Sequence, residues 1–250
     1  MTGGVHPFFG DRARNARGVQ RLALKVLPFH QYIGLRAELH IFKVRLHGRR
    51  VRRRYRHATG LMVNIGAGEQ GAADWVNVDM WPGTNVNCLY DCRRSLPFPS
   101  RSVRAIFSEH FLEHLDYTEE VPEFLRECLR VLEPGGRIRI VVPDAEAYVR
   151  AYCAQDWPAL AALRGLGAER SDPWLGGHYA TKMELVNAVF RQGHEHKYAY
   201  DADTLTRAVN VAGFLEIGRR GFQETSLPGL ALDRPDRARE SLYLEAVAPR

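Results

Sequence analysis

Residues 61–68 read Leu61-Met62-Val63-Asn64-Ile65-Gly66-Ala67-Gly68, an apolar run that ends in a glycine-rich turn. The run has the length of one buried strand. Gly66 and Gly68 let the backbone approach a ligand because no Cβ stands in the way. Parallel sheets bind their ligands at the carboxyl ends of strands. This stretch therefore predicts an α/β protein with a binding site beside residues 64–68.

An alternation of strands and helices extends from this stretch to the end of the chain. Further strands are predicted at 75–80, 87–90, 103–107, 137–142, 214–222 and 241–247. Apolar residues spaced three or four apart predict one helix from Val121 to Leu132 and another over 201–212. The alternation indicates a doubly wound, mostly parallel sheet.

Two acids follow the second and third predicted strands. Asp79 ends the second strand, where a carboxylate can accept hydrogen bonds from both hydroxyls of a ribose. Asp91 ends the third strand, where it can face an adenine amino group. Each acid taken alone is also typical of a helix cap or a turn. Their order after a glycine turn favours a nucleoside-containing cofactor.

The motifs together resemble class I methyltransferases that use S-adenosylmethionine (SAM), of the small-molecule or sugar type. The matching stretches are residues 63–68, 76–79, Asp91 with Leu96-Pro97-Phe98, residues 108–115 and residues 129–136. The most specific is Leu132-Glu133-Pro134-Gly135-Gly136 before a strand. The resemblance implies a Rossmann-like sheet of seven strands, mostly parallel with an antiparallel last strand, and SAM as the cofactor.

The resemblance also assigns roles around the cofactor. Gly66 and Gly68 would lie against the methionine moiety, Asp79 would hold the ribose and Asp91 would lie beside the adenine. The full set of expected cofactor-binding residues is Asn64, Gly66, Ala67, Gly68, Asp79, Met80, Asp91, Ser108, Glu109 and His110. One departure is a spacing of only 12 residues between Gly66 and Asp79, which predicts a helix of one turn, around Gln70–Ala73.

Two other enzyme classes share single motifs with this chain. Gly66, Gly68 and Gly71 fit the G-x-G-x-x-G expression of a Rossmann dehydrogenase, but the helix that should follow is missing. Residues 110–114 spell H-x-x-E-H, an inverted zinc-protease signature, but no third ligand stands at the spacing of that family. We therefore expect neither class, and we expect no bound metal.

Methylation of a hydroxyl usually needs a general base, for which histidine is the natural choice. His110 follows the fourth strand, and His194 and His196 lie in one segment that could fold over the cofactor mouth. The alternative is that these histidines are ordinary loop residues. Aromatic residues between 148 and 200 suit the stacking of sugar rings, though core packing explains many of them equally well. The expected acceptor is a sugar, polysaccharide or other small-molecule hydroxyl.

Charge divides the chain into two predicted parts. Residues 1–60 hold 14 Lys and Arg against two acids, a net of +12, whereas the rest of the chain has a net of −6. We expect a basic helical arm (residues 1–58), with an amphipathic helix over 31–47, and a methyltransferase domain (residues 59–250). Residues 145–200 of that domain are expected to form an insert that covers the substrate.

The arm allows several partners. Residues 31–56 suit an anionic membrane surface, and a solvated helix that caps the domain or a second subunit is an alternative. RNA methylation is a further alternative but is disfavoured, because no RNA-binding domain is recognisable. A fourth alternative is a non-catalytic scaffold that keeps the fold.

Cysteine usage and hydropathy bear on location. The four cysteines form no CxxC pair, which favours reduced thiols, and no apolar run approaches the roughly 20 residues of a membrane span. With no leader sequence recognisable, we expect a cytoplasmic protein, with attachment to the inner face of the membrane through the arm as a second expectation.

Overall fold

A seven-stranded mixed sheet forms the centre of the computed structural model, which describes residues 29–167, 172 and 178–250. The strands are β1 (Leu61–Ile65), β2 (Val76–Asp79), β3 (Cys88–Leu89), β4 (Val103–Glu109), β5 (Leu132–Pro143), β6 (Leu215–Arg220) and β7 (Ser241–Val247). Their order is β3-β2-β1-β4-β5-β7-β6. β7 lies antiparallel to both of its neighbours, and the other pairings are parallel. The fold class predicted from the sequence is confirmed.

The strand order places the site. The chain runs outward from β1 through β2 to β3 and then returns to β4 on the other side of β1. The crevice outside the carboxyl ends of β1 and β4 is therefore the switch point at which doubly wound sheets bind ligands.

Six helices of the described chain surround the sheet. They are α1 (Phe29–Tyr55), α2 (Glu120–Val131), α3 (Ala145–Cys153), α4 (Trp157–Arg164), α5 (Lys182–Arg191) and α6 (Ala202–Val211). The apolar face predicted for α2 is buried, with Phe124, Leu125 and Cys128 fully enclosed. Asp201 caps α6 by accepting a hydrogen bond from the backbone N–H of Thr204, which satisfies one free N–H at the start of that helix.

Two local expectations were wrong. No helix forms between β1 and β2, because the Asn77 amide bonds both the N–H and the carbonyl of Ala72 and holds an irregular loop. The second concerns the strand expected at 137–142. This strand, β5, begins earlier, at Leu132, and includes Pro134-Gly135-Gly136. Its pairing with β4 jumps from Leu132 to Arg137, and Gly135 takes a left-handed conformation in the bulge.

The predicted amphipathic helix exists as α1 but buries a different face. Leu35, Leu39, Phe42 and Leu46 are between 50% and 63% exposed. Ile41 and Val44 are buried instead, and Tyr55 joins the main core beside Phe98. The second half of α1 thus packs on the domain. None of the described helices is long and apolar enough to cross a membrane.

The predicted insert has a small core of its own. Tyr148, Leu160, Leu185 and Val189 from α3, α4 and α5 form it. Most of its aromatic residues are therefore explained by core packing, and Trp174 lies outside the described residues. All four cysteines are free thiols, as expected.

Candidate functional site

The glycine turn and the acid after β2 form one hydrogen-bonded unit. Gly66 and Gly68 have φ of 75° and 53°, left-handed values that glycine adopts without strain. The Asp79 carboxylate accepts a hydrogen bond from the N–H of Gly68 at 2.9 Å and one from the N–H of Trp81 at 2.8 Å. Each carboxylate oxygen has two lone pairs, so each keeps one for a ligand. The geometry suits the two neighbouring hydroxyls of a ribose.

Three other expected cofactor residues lie in or next to this unit: Asn64, Ala67 and Met80. Asn64 is buried, and its amide donates to the carbonyl of Gln70. Ala67 is buried, and the Met80 carbonyl is 2.7 Å from Nε2 of His40. The structure thus gives Asn64 a supporting position under the loop, whereas Met80 lies at its rim.

Asp91 is held by two arginines. Its carboxylate accepts hydrogen bonds from Nε of Arg93 and from Nε of Arg45, each at 2.9 Å. Burial alone would raise the pKa of Asp91, but the hydrogen bonds and charge of Arg93 and the hydrogen bond of Arg45 outweigh it and lower that pKa. Asp91 therefore stays ionised at neutral pH. Its expected contact with adenine remains a prediction.

Helix α1 borders the same end of the site. The His40 ring stacks on Trp81 with centroids 4.3 Å apart and planes 7° apart, and Arg45 reaches Asp91. A helix that caps the domain was one alternative for the arm, but the charge pattern did not predict these particular contacts. Nothing in the spacing of His40 or Arg45 could have shown which strand they meet.

The carboxyl end of β4 presents three consecutive polar residues. The Ser108 hydroxyl is buried without a hydrogen-bond partner among the described residues. Oε1 of Glu109 accepts from the N–H of Arg234 at 3.1 Å, and burial raises the pKa of Glu109 to about 7. His110 has a φ of 50°, so its backbone turns sharply out of the strand.

His110 directly follows β4, and two side chains contact its ring. Its Nε2 lies 2.9 Å from Oγ of Ser241, and its Nδ1 lies 3.4 Å from Oε1 of Glu113. Burial, reinforced by the charge of Arg237, holds the pKa of His110 well below its usual range. The ring is therefore neutral at physiological pH and keeps a lone pair that can accept a proton.

The segment that contains His194 and His196 packs against the turn after β4. The backbone N–H groups of Lys197 and Tyr198 donate to the carbonyl of Glu113, and the His114 and His196 rings meet edge to face with centroids 4.8 Å apart. The segment therefore packs on the turn that holds Glu113 and His114, and its expected place over the cofactor mouth stays a prediction. The His194 side chain lies outside the described residues.

Glu113 and His114 were not among the predicted site residues. Both lie in the short 3-10 turn Leu112–His114, and together with His196 they form a group that could hold a metal ion. The signal was the H-x-x-E-H motif, which spacing alone could not connect to His196, 82 residues beyond His114. The expectation of no metal stays a prediction.

Comparison with known families finds one match, in the first part of the sheet. Residues 63–140 match the family model described as a methyltransferase domain. That match covers the strands from β1 into β5, including the glycine turn and both acids, and supports SAM as the cofactor. No curated protein matches the chain.

Solved structures resemble the chain weakly. Phosphoethanolamine N-methyltransferase 2 from Haemonchus contortus, in complex with SAM, is 14% identical with a TM-score of 0.42, over 82% of this chain and 52% of that one. A SAM-dependent methyltransferase from Archaeoglobus fulgidus is 16% identical with a TM-score of 0.44, over 84% and 99%. One from Mesorhizobium loti is 19% identical with a TM-score of 0.42, over 80% and 97%. The chain spans about half the length of the Haemonchus enzyme, and likenesses this weak carry no argument about activity.

Proposed function

We propose that this protein is a SAM-dependent methyltransferase. The observation that carries the proposal is the unit of Gly66, Gly68 and Asp79 at the switch point of the sheet. It offers a close backbone approach beside a carboxylate with one unused lone pair on each oxygen. The family match over residues 63–140 supports the same activity. When bound, SAM supplies an activated methyl group.

We further propose that the acceptor is a hydroxyl of a sugar or another small molecule, with His110 as the general base. A hydroxyl is a weak nucleophile, and a neutral imidazole can take its proton as the oxygen attacks. His110 follows β4 at the switch point, and Glu113 and Ser241 contact its two ring nitrogens and fix the ring. The Ser241 hydroxyl can donate to Nε2 or accept from it, so either tautomer is held.

A group of tyrosines beside the segment of His196 supports a ring-shaped acceptor. Tyr117 and Tyr198 stack with centroids 4.1 Å apart, and Tyr200 packs at 5.0 Å from Tyr198. Tyr198 is only partly buried and lies two residues from His196. Tyrosine rings with a polar end suit contacts with the apolar face of a sugar.

Calorimetric titration with SAM, and separately with NADH, tests the cofactor. We expect micromolar binding of SAM and none of NADH, whereas NADH binding without SAM binding would identify a dehydrogenase. The base is tested by His110→Gln with a panel of sugar acceptors. We expect turnover to fall about 10²–10⁴-fold, a larger loss than any weakening of SAM binding. Unchanged turnover in that variant would exclude His110 as the base.

A further inference from the structure

Three side chains of metal-ligand type converge beside the turn after β4. Glu113, His114 and His196 each place one ligand atom within 4.8 Å of the other two. Glu113 and His114 come from the 3-10 turn Leu112–His114, and His196 comes from the segment after α5. Methyl transfer with His110 as the base leaves all three without a direct role.

The Glu113 carboxyl is buried and unsatisfied. It is 1% exposed, and neither oxygen has a hydrogen-bond partner among the described residues. Buried polar atoms nearly always have partners, and an ion is one of the groups that can provide one. A cation bound here would be a partner for the lone pairs of the Glu113 oxygens.

The two histidines are already oriented to act as ligands. Nδ1 of His196 lies 2.6 Å from the carbonyl of Val189, and Nδ1 of His114 lies 3.1 Å from the carbonyl of Glu195. A carbonyl only accepts, so each Nδ1 carries the proton and each Nε2 keeps its lone pair. This is how ligand histidines are usually fixed by their surroundings.

The distance between two of the ligand atoms fits the same conclusion. Nε2 of His196 lies 3.9 Å from Oε1 of Glu113. Ligand atoms in a tetrahedral zinc site stand about 3.3 Å apart, given bonds of about 2.0–2.1 Å. A shift of about 0.6 Å would bring this pair to that distance, and the remaining pairs, within 4.8 Å of one another, need a shift of about 1.5 Å at most.

We propose that Glu113, His114 and His196 bind one divalent ion of the first transition series. Two imidazoles and one carboxylate suit Zn²⁺, Co²⁺ or Mn²⁺, whereas Mg²⁺ and Ca²⁺ prefer oxygen alone. Three protein ligands leave at least one coordination position open, as in catalytic rather than structural zinc sites.

The proposed metal site lies beside the proposed base, because Nδ1 of His110 is 3.4 Å from Oε1 of Glu113. In a role that rests on the proposed function, the metal would bind the acceptor hydroxyl and lower its pKa. The hydroxyl proton would then pass to His110, and the oxygen would form its bond to the methyl carbon as the bond from that carbon to sulfur breaks.

Metal binding is tested on the purified full chain, first stripped with a chelator. Titration with Co²⁺, followed by its visible absorption, should show one equivalent bound, and Zn²⁺ should displace it. Glu113→Gln and His196→Asn should each weaken Co²⁺ binding at least 100-fold. The control His47→Asn, on the exposed side of α1, should bind Co²⁺ like the wild type. Less than 0.2 equivalents of Co²⁺ in the wild type would overturn the proposal, and so would equal binding by all three variants.

Folding and cofactor binding are measured in parallel. Circular dichroism identifies any variant that fails to fold, and His114→Asn then replaces it. Calorimetry with SAM separates this inference from the proposed function. Binding of SAM without Co²⁺ would overturn the metal site alone, whereas Co²⁺ binding without SAM binding would overturn the methyltransferase function and leave the metal site standing.

Discussion

Replacement of Asp79 tests the cofactor site most directly, because this carboxylate has two kinds of partner. It accepts the N–H groups of Gly68 and Trp81 and offers one remaining lone pair on each oxygen to a ribose. Hydrogen bonds to a charged group contribute about 1.5–3 kcal/mol each. Losing two such bonds to the ribose in Asp79→Ala amounts to about 3–6 kcal/mol, which weakens SAM binding about 10²–10⁴-fold.

The Asp79→Asn variant distinguishes charge from shape. An amide keeps the size of the carboxylate but must turn its NH₂ group toward the N–H of either Gly68 or Trp81. One N–H then faces another donor, so the turn is disturbed even in the absence of a ligand. We expect SAM binding to weaken at least about tenfold, through the loss of one charge-assisted bond.

Isothermal titration calorimetry with SAM at pH 7 measures both variants. Asp203→Asn is the matched control, since Asp203 is exposed in the first turn of α6 and should leave the affinity unchanged. Urea unfolding confirms that each variant is folded. Affinities for SAM within threefold of the wild type in both Asp79 variants would refute the assignment of this carboxylate to the cofactor.

Three further substitutions test how the site is held and how it ionises. Gly66→Ala places a Cβ 2.8 Å from Cβ of Phe111 in a left-handed conformation, so SAM affinity should fall at least tenfold by calorimetry, and an unchanged affinity would show that the turn is not packed as described. Arg139→Met removes the cation that lies 2.5 Å from the buried Asp233 and 3.1 Å from the buried Glu245, and Glu245 then keeps only the more distant Arg220, at 3.7 Å. The substitution should lower the free energy of unfolding in urea by about 3–5 kcal/mol, and a loss below 1 kcal/mol would contradict this. The pKa of Glu109 is raised to about 7, so the folded state binds more protons than the unfolded chain between about pH 4.5 and 7, and the stability that Glu109 contributes falls as pH rises through that window. Glu109→Gln should remove up to about 3 kcal/mol of this pH dependence. The free energy of unfolding in urea is measured at pH 5 and pH 8, and an equal change between the two pH values in variant and wild type would disprove the prediction.

Two strands show why short buried strands can be predicted from the sequence. Leu61–Ile65 and Ser241–Val247 begin and end in the structure at the predicted residues. Both are short apolar runs followed or preceded by clear changes in composition, and a buried strand needs little more than that. The helix expected at Gln70–Ala73 does not form, because the side-chain amide of Asn77, a residue of β2, bonds the backbone N–H and carbonyl of Ala72 in this loop.

Helix α1 shows where periodicity misleads. Its most regular apolar stripe, from Leu35 to Leu46, is the exposed side, and the less regular Ile41 and Val44 face the domain. The hydrogen bonds of Arg45 to Asp91 and of Arg52 to Tyr90 fix which side turns inward. Such contacts join residues about 40 positions apart, and a helical repeat carries no information about them. The predicted membrane partner of this stripe stays a prediction.

The sequence by itself determined the α/β class, the positions of most strands along the chain, the glycine turn and Asp79, because each depends on composition and spacing within a few residues. Only the tertiary structure decided that Arg45 and Arg93 hold Asp91, and that His196 joins Glu113 and His114. The physical reason is that burial and charge pairing depend on chain segments brought together by folding. The H-x-x-E-H motif becomes a candidate metal site only when the segment after α5 folds back on it.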